Sequence, residues 1–468
     1  MTIGKKTKSS KKITRNSERA AVKPHPAETA AAVKAPRGVK TPTLLRGMKD
    51  ILPKEEWYWL KLFGAAQSLA RAYGYAYMAT PIVEEAALFI RSLGRGTDVV
   101  DKEMYIFEDR DGTRAALRPE WTASVARAYI GHGMHTWPQP VKVWCLGPMF
   151  RHDRPQAGRY RQFHQFGAEA LGERHPAVDA ELIILAYNFL RDLGIKSQVQ
   201  INSIGNREDR ERYLVELTGY LKSKRSYLCE DCKKRLIRNP LRVLDCKGEQ
   251  CVMVIEESPQ IVDWLSDGSK DFFVKVLEYL DELEVPYMLR ATLVRGLDYY
   301  TDTVFELYED GDVPPGGAQS ALGGGGRYDG LVEQLGGRPT PASGFALGIE
   351  RVISVLRRQY EAAGKDPTIG QTKIFFAHLG DQARRRTLAL IERLRRDGIE
   401  VLHNVAKASL KAQLELAHKA GATHSLILGQ KEVQDGTVII RDMESGNQEV
   451  ADQKKISLEL QKIRKARG

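Results

Sequence analysis

Residues 150–165 read FRHDRPQAGRYRQFHQ, which gathers Arg151, Arg154, Arg159 and Arg161 around a charged turn. The flanks say what the turn joins. Residues 141–150 read as one strand and 166 onward as a returning strand, so the stretch predicts the tip of an antiparallel hairpin. Four guanidinium groups held close together repel one another unless anions sit between them. Their planar forks match phosphate oxygens two at a time, so a polyphosphate or a nucleic-acid backbone is the natural partner. The rival is a plain solvated charged hairpin, and composition alone leaves the two level.

Outward from the hairpin, helical spacing covers 55–73, a strand-like stretch runs into Pro81, and a turn is expected at 109–112. Downstream, 177–193 has helical periodicity and 198–203 alternates like a strand. Helices and a cysteine cluster fill about 207–283, and strand character returns at 288–294 and 303–308. The glycine run at 323–326 reads either as a flexible loop or as backbone that a ligand approaches closely, and a helix is expected near 348–360. These elements predict a mixed α+β body on antiparallel strands. A Gly- and Pro-containing linker follows at 361–372. Beyond it, 374–378, 384–396, 399–403, 410–420 and 425–428 alternate strand and helix, the pattern of a small α/β domain with largely parallel strands. Residues 309–320, with Pro314 and Pro315, read as a surface loop, and no internal repeat is present.

A chain of 468 residues implies about three or four units. No run approaches the ~18 apolar residues of a membrane span, and no apolar stretch opens the chain, so a cytoplasmic protein with no membrane partner is expected. The net charge of +11 is unevenly spread: residues 1–40 hold eight Lys, three Arg and two Glu, which leaves only +2 for the remainder. That Lys/Ala-rich tail, 1–41, is predicted to be disordered, because it has too few large apolar residues to offset the entropy of ordering it. It fits a solubilising arm or an extra RNA contact, and an organellar presequence less well because Lys dominates over Arg.

Three further segments carry polar chemistry. LVRGLDYYT at 293–301 ends a strand-like run in Arg295, Asp298, Tyr299 and Tyr300; LGGGGRYDGL at 322–331 includes Tyr328; SGFALGIERV at 343–352 puts Glu350 and Arg351 at a helix start. The glycines are not followed by Lys and Ser or Thr, so there is no P-loop, and they do not open a βαβ unit as a dinucleotide fingerprint would. Any nucleotide here is held by arginines.

With those residues in view, the chain is similar to class II aminoacyl-tRNA synthetases, and specifically to the histidyl-tRNA synthetase family. FRHDRPQAGRYRQFHQ resembles motif 2, SGFALGIERV resembles motif 3, and LVRGLDYYT with GGGGRYDGL resembles the two histidine signatures. RGMKDILP at 46–53, the strand into Pro81 as a loose motif 1, and LRPEWTA at 117–123 follow the same family, in family order. The resemblance implies a class II catalytic domain at 42–360 with an insertion at about 207–285, and an anticodon-binding α/β domain at 373–468. It implies ATP-dependent activation of L-histidine to histidyl-adenylate and transfer to the 3′ end of histidine tRNA.

By the same resemblance Arg151 and Arg295 are the catalytic pair, with Arg151, Arg159, Phe163 and Arg351 around ATP. Glu120, Thr122, Gln165, Glu169, Tyr299, Tyr300 and Tyr328 make the histidine site, while Arg154, Gln156 and Arg161 meet the tRNA acceptor end. Mg2+ is implied as a partner of ATP, and motif 1 implies a homodimer. Residue 121 is Trp where the family often has Gly, and its side chain is expected to point outward. A regulatory relative that senses histidine or tRNA would lose the terminal domain or the histidine signatures, and a synthetase for another amino acid would lack the paired signatures; this chain keeps both.

Four of the five cysteines form Cys229-x2-Cys232-x13-Cys246-x4-Cys251, close to a zinc-ribbon spacing. Either a structural zinc or four reduced thiols packed as small apolar groups satisfies that spacing. Cys145 stands alone in a strand and is expected in the core.

Overall fold

The computed structural model describes residues 41–94, 97–153, 158–311, 321–365, 373–407 and 409–467. The expected tail at 1–41 (all but its last residue), Arg154, Gln156, most of the linker and most of the proline loop lie outside them. Residues 41–45 are irregular and exposed. Arg46–Gly468 forms one unit.

Sixteen strands occur among the described residues. In chain order β1 is Ala76–Tyr77, β2 Val83–Glu85, β3 Ile106–Glu108, β4 Arg114–Leu117, β5 Val141–Phe150 and β6 Gln162–Leu171. Then come β7 Ser197–Ser203, β8 Tyr287–Leu289, β9 Thr301–Glu309, β10 Gly323–Arg327 and β11 Ala342–Gly348. The last five are β12 Ile374–His378, β13 Val401–His403, β14 His424–Leu428, β15 Thr437–Asp442 and β16 Gln448–Asp452.

Eight strands make the main sheet in the order β1-β5-β6-β11-β10-β9-β7-β8. All its pairings are antiparallel except β1 with β5 and β7 with β8 at the two edges. The hairpin expected around the arginine turn is β5–β6, with Gly147 opposite Gln165 and Val143 opposite Glu169.

Because side chains alternate faces along a strand, this register sorts the residues of β6. Phe166, Ala168 and Ala170 turn into an apolar core with Leu182, Ile183, Leu185, Ala186, Phe189 and Leu190 of the helix Pro176–Asp192. That helix starts with Pro176 at its first position, where a missing N–H does no harm, and His175 Nδ1 accepts from Ala177 N at 3.2 Å. The odd residues Phe163, Gln165, Gly167 and Glu169 therefore face the opposite side. A charged pair locks this body: Arg327 and Asp179, both essentially without solvent access, bond at 2.6 and 3.1 Å.

Two expectations change. The strand foreseen at 288–294 stops at Leu289, and the chain to Tyr300 is a loop pinned by Asn202 Nδ2, which donates to Ala291 O at 3.1 Å and Leu293 O at 3.0 Å. The glycine run is no loop but the central strand β10. A Cβ on Gly323, Gly324 or Gly325 would lie 2.1–2.3 Å from a carbonyl oxygen of a flanking strand, so glycine lets the neighbours close in.

The C-terminal sheet runs β13-β12-β14-β15-β16. Its first three strands are parallel, as expected, but β15 and β16 add an antiparallel edge. Ile374, Phe376, Leu390, Leu394, Leu426 and Leu428 build its separate core.

Candidate functional site

A cavity of about 540 Å³ opens over the face of the main sheet away from the helix Pro176–Asp192. The odd residues of β6 named above form its floor, joined from β9 by Glu306 and Tyr308. Space above them exists because the facing positions of β10 and β11 are small: Gly324 sits opposite Glu306 and Ala346, Gly344 opposite Glu169, and Gly348 opposite Gln165. The match at Gly344 is the tightest, since a Cβ there would fall 1.6 Å from Glu169 Oε2.

One end of the cavity is cationic. Arg151, Arg159 and Arg351 all line it. Arg151 Nε donates to Pro119 O at 2.8 Å and its guanidinium lies 5.4 Å from the Phe163 ring centre. Arg351, at the start of the helix Ile349–Ala362, donates to Ala321 O at 2.5 Å and Gly158 O at 3.4 Å. Burial pushes its guanidinium below the usual value, and the like charges of Arg159 and Arg151 push the same way. Among the described residues no carboxylate pairs with Arg151 or Arg351, and Arg159 reaches Asp153 at 3.2 Å across a half-exposed gap. Three converging cations with so little compensation make an anion site. Glu350, beside Arg351, fixes the hairpin by accepting from His164 N at 2.9 Å and meeting His164 Nδ1 at 2.8 Å.

The other end is a closed pocket. Glu169 is buried, with Oε1 accepting from Thr122 Oγ1 at 2.7 Å and Oε2 from the Tyr328 hydroxyl. Burial raises its pKa to about 8 against the pull of those two hydroxyls, with nearby Glu120 raising it further. The rings of Tyr299 and Tyr300 lie 4.7 Å apart on the wall, tilted 43° to each other, and Tyr328 meets Tyr299 edge-on at 5.5 Å. Glu120 caps the helix Thr122–Gly131, accepting from Thr122 N at 2.7 Å and Ala123 N at 2.9 Å, and burial raises its pKa too. Two residues before it, the Arg118 side chain ties this stretch to its neighbours, donating to Thr80 O at 2.9 Å and Pro148 O at 3.0 Å.

Between the two ends lies Arg295. It is tied to Glu306, whose other oxygen accepts from Tyr308, and it lies 5.5 Å from the Tyr300 ring centre. Gln165 Oε1 and Arg295 Nε are buried with no partner among the described residues. Orphaned polar atoms aimed into a cavity are what a polar ligand satisfies.

The cavity thus brings together Glu120, Thr122, Arg151, Arg159, Phe163, Gln165, Glu169, Arg295, Tyr299, Tyr300 and Arg351. Tyr328 stands behind Glu169 and is not on the wall; Arg161 also lies off it, with Nε 3.5 Å from Asp153 O. Trp121 corrects an expectation, for it points inward. It is 3% exposed, lines the cavity, and packs 3.4 Å from where a Cβ on Gly167 would be. The glycine across from it makes that room. Sequence reasoning missed Glu306, which the alternation of β9 would place beside Tyr308, and Arg242, which no local pattern marks. Arg242 reaches in from a distant segment to donate to Arg295 O at 3.3 Å.

The histidyl-tRNA synthetase family model matches residues 47–205 and 256–352, and an anticodon binding domain model matches 373–463. The chain is 46% identical over 418 residues to a histidine–tRNA ligase of Dehalococcoides mccartyi, covering 89% of this chain and 98% of that protein. A histidine–tRNA ligase of Natranaerobius thermophilus is 44% identical over 405 residues, 86% of this chain and 94% of that one. The crystal structure of apo S. aureus histidyl-tRNA synthetase superposes with a TM-score of 0.73 at 34% identity, covering 90% of this chain and 99% of that one.

Proposed function

The chain belongs to the histidyl-tRNA synthetase family, class II aminoacyl-tRNA ligases whose amino acid is histidine, and we propose how its cavity does that work. L-Histidine is activated by ATP to histidyl-adenylate with loss of pyrophosphate, and the histidyl group then passes to the 3′ end of histidine tRNA. The observation that carries this reading is the convergence of Arg151, Arg159, Arg295 and Arg351 on one cavity that ends in buried Glu169.

In this reading Arg151 holds the α-phosphate, Phe163 and Arg351 sandwich the adenine, and Arg159 and Arg351 meet the outer phosphates. Arg295 stands where the substrate carboxylate attacks the α-phosphate, and stabilises charge there without moving a proton. Glu120, Thr122 and Gln165 hold the α-amino group; Glu169, Tyr299 and Tyr300 face the imidazole, and Tyr328 positions Glu169. An imidazole offers one donor and one acceptor, so a site that pairs both rejects analogues that leave a buried polar group unsatisfied. Rate comes from placing two reactants in line among fixed cations.

Family membership implies ATP and a divalent metal. Among the described residues no cluster of carboxylates in the cavity is arranged to cage an ion, which suits magnesium carried in by the triphosphate. Arg154, Gln156 and Arg161 are assigned to the tRNA acceptor end. We divide the chain into a catalytic domain at 42–360, a linker at 361–372 and an anticodon-binding domain at 373–468. The protein is assigned to the cytoplasm and to a homodimer through motif 1; no helix of the described residues is long and apolar enough to cross a membrane. Sedimentation that gives only monomer at micromolar concentration would remove the dimer. Histidine-dependent exchange of labelled pyrophosphate into ATP checks the reaction. A histidine sensor shows no exchange, and a synthetase for another amino acid responds to that amino acid instead.

A further inference from the structure

We propose that Cys229, Cys232, Cys246 and Cys251 bind one structural zinc ion, which fixes a segment of the cavity wall. The four sulfurs all lie within 4.8 Å of one another, and Cys229 Sγ and Cys246 Sγ are 3.8 Å apart. A tetrahedron of thiolates at the usual zinc–sulfur distance of about 2.3 Å has edges of about 3.8 Å. A disulfide would need about 2.05 Å, and all four cysteines are free.

Backbone amides supply an independent observation. Cys229 N points to Cys251 Sγ at 3.2 Å, Cys232 N to Cys229 Sγ at 3.4 Å and Gly248 N to Cys246 Sγ at 3.5 Å. Thiols packed merely as small apolar groups would meet carbon; amides aimed at sulfur orient and stabilise thiolate ligands. Cys229 is also the N-cap of the helix Glu230–Arg238, and Cys251 lies in the first turn of the helix Glu249–Glu256. Helix N-termini favour the negative charge that a tetrathiolate zinc site carries.

The surrounding segment packs Leu236, Val243, Leu244, Val254 and Ile255 into a core shared with Tyr213, Leu217 and Leu221, and an ion would add a local staple to that packing. Its helices have nine and eight residues, too short to be stable alone. Ile237 is 78% exposed and Met253 70%, so apolar residues that could have packed them face solvent instead. The four cysteines lie between the two stretches that the family model matches, 47–205 and 256–352.

What the ion fixes is the stretch between the second and third ligands. Arg235 donates to Arg242 O at 3.3 Å, both reach Asp98 Oδ2 at 3.2 and 3.6 Å, and Arg242 then donates to Arg295 O at 3.3 Å. Arg235 and Arg242 both line the cavity. Zinc therefore acts as a positioning device, two bonds removed from the backbone of Arg295.

Elemental analysis of the full chain, purified without chelator, should find about one zinc per chain, and cobalt in its place should give the visible absorption of a tetrahedral tetrathiolate site. Cys251→Ala should lose the metal, whereas Cys246→His, which keeps four ligands, should retain it. Chelated protein should be cut by protease within 206–255 while the loaded protein resists. Essentially metal-free protein whose thiols all react with a thiol reagent in the native state overturns the proposal. So does a disulfide found by mass spectrometry, or a zinc content unchanged by Cys251→Ala. None of these readouts depends on which amino acid is activated.

Discussion

Replacing Glu169 by Gln isolates the charge at the closed end of the cavity, because shape is kept and ionisation is removed. Glu169 is 2% exposed and its pKa rises to about 8 from an ordinary 4.5, chiefly through burial. A group whose folded pKa lies above its unfolded value lends stability that is complete below the unfolded pKa and is lost as pH climbs through the folded one. Over this window the carboxyl in the native chain is a proton richer than in the unfolded chain. Stability therefore falls with rising pH, by up to about 5 kcal/mol between pH ~4.5 and ~8. Urea unfolding followed by tryptophan fluorescence at a series of pH values from about 5 to 9 reads this out, since Trp121 lies in the same cavity. Wild type should lose stability relative to Glu169→Gln across that range and level off above it. The variant should also lose most histidine-dependent pyrophosphate exchange at neutral pH, by about 100-fold, since an amide cannot ionise to the carboxylate that would pair with the bound imidazole N–H. A difference in stability that stays flat with pH would refute the reasoning, whatever happened to activity.

Gly344→Ala should disable the site from the other direction. Its Cβ would overlap Glu169 Oε2, so we expect about 3 kcal/mol of destabilisation and loss of exchange that Gly348→Ala, whose Cβ meets nothing closer than 3.5 Å, does not reproduce. Arg327→Met strands Asp179 as an unpaired buried acid, which should lower stability by about 3–5 kcal/mol; thermal denaturation checks it, and an unchanged Tm would mean the pair is not where the sheet gets its support. Arg351→Ala should lower kcat/KM for ATP by about 100-fold or more while leaving the affinity for histidine alone, measured by calorimetry, nearly as it was.

Much of the fold and of the site is legible in the amino-acid sequence, and the reasons differ from element to element. β5 and the helix Pro176–Asp192 announce themselves by local pattern, an apolar run in one and a 3.6-residue period after Pro176 in the other. The arginine turn reads as an anion site because like charges need a reason to gather. The resemblance to one family then joins Arg151, Arg295 and Arg351, which lie up to 200 residues apart and share no local signal. What escapes is decided by contacts distant in sequence. Four glycines in a row resemble a loop until strands on both sides require their missing side chains. Trp121 is expected in solvent because nothing nearby in sequence says that Gly167 clears a place for it. Arg242 reaches Arg295 only through the folding of an insertion. The antiparallel β15 and β16 are hidden behind a run of parallel strands, although the start of 437–442 alternates as a half-buried strand does.

Whether one nucleotide lies among three arginines with an imidazole beside it is tested most directly by a crystal structure with ATP and the unreactive alcohol histidinol. The triphosphate should lie among Arg151, Arg159 and Arg351, with the imidazole against Glu169 and Gln165 Oε1 no longer orphaned. Density for either ligand outside this cavity, or for an imidazole at the cationic end, would contradict it.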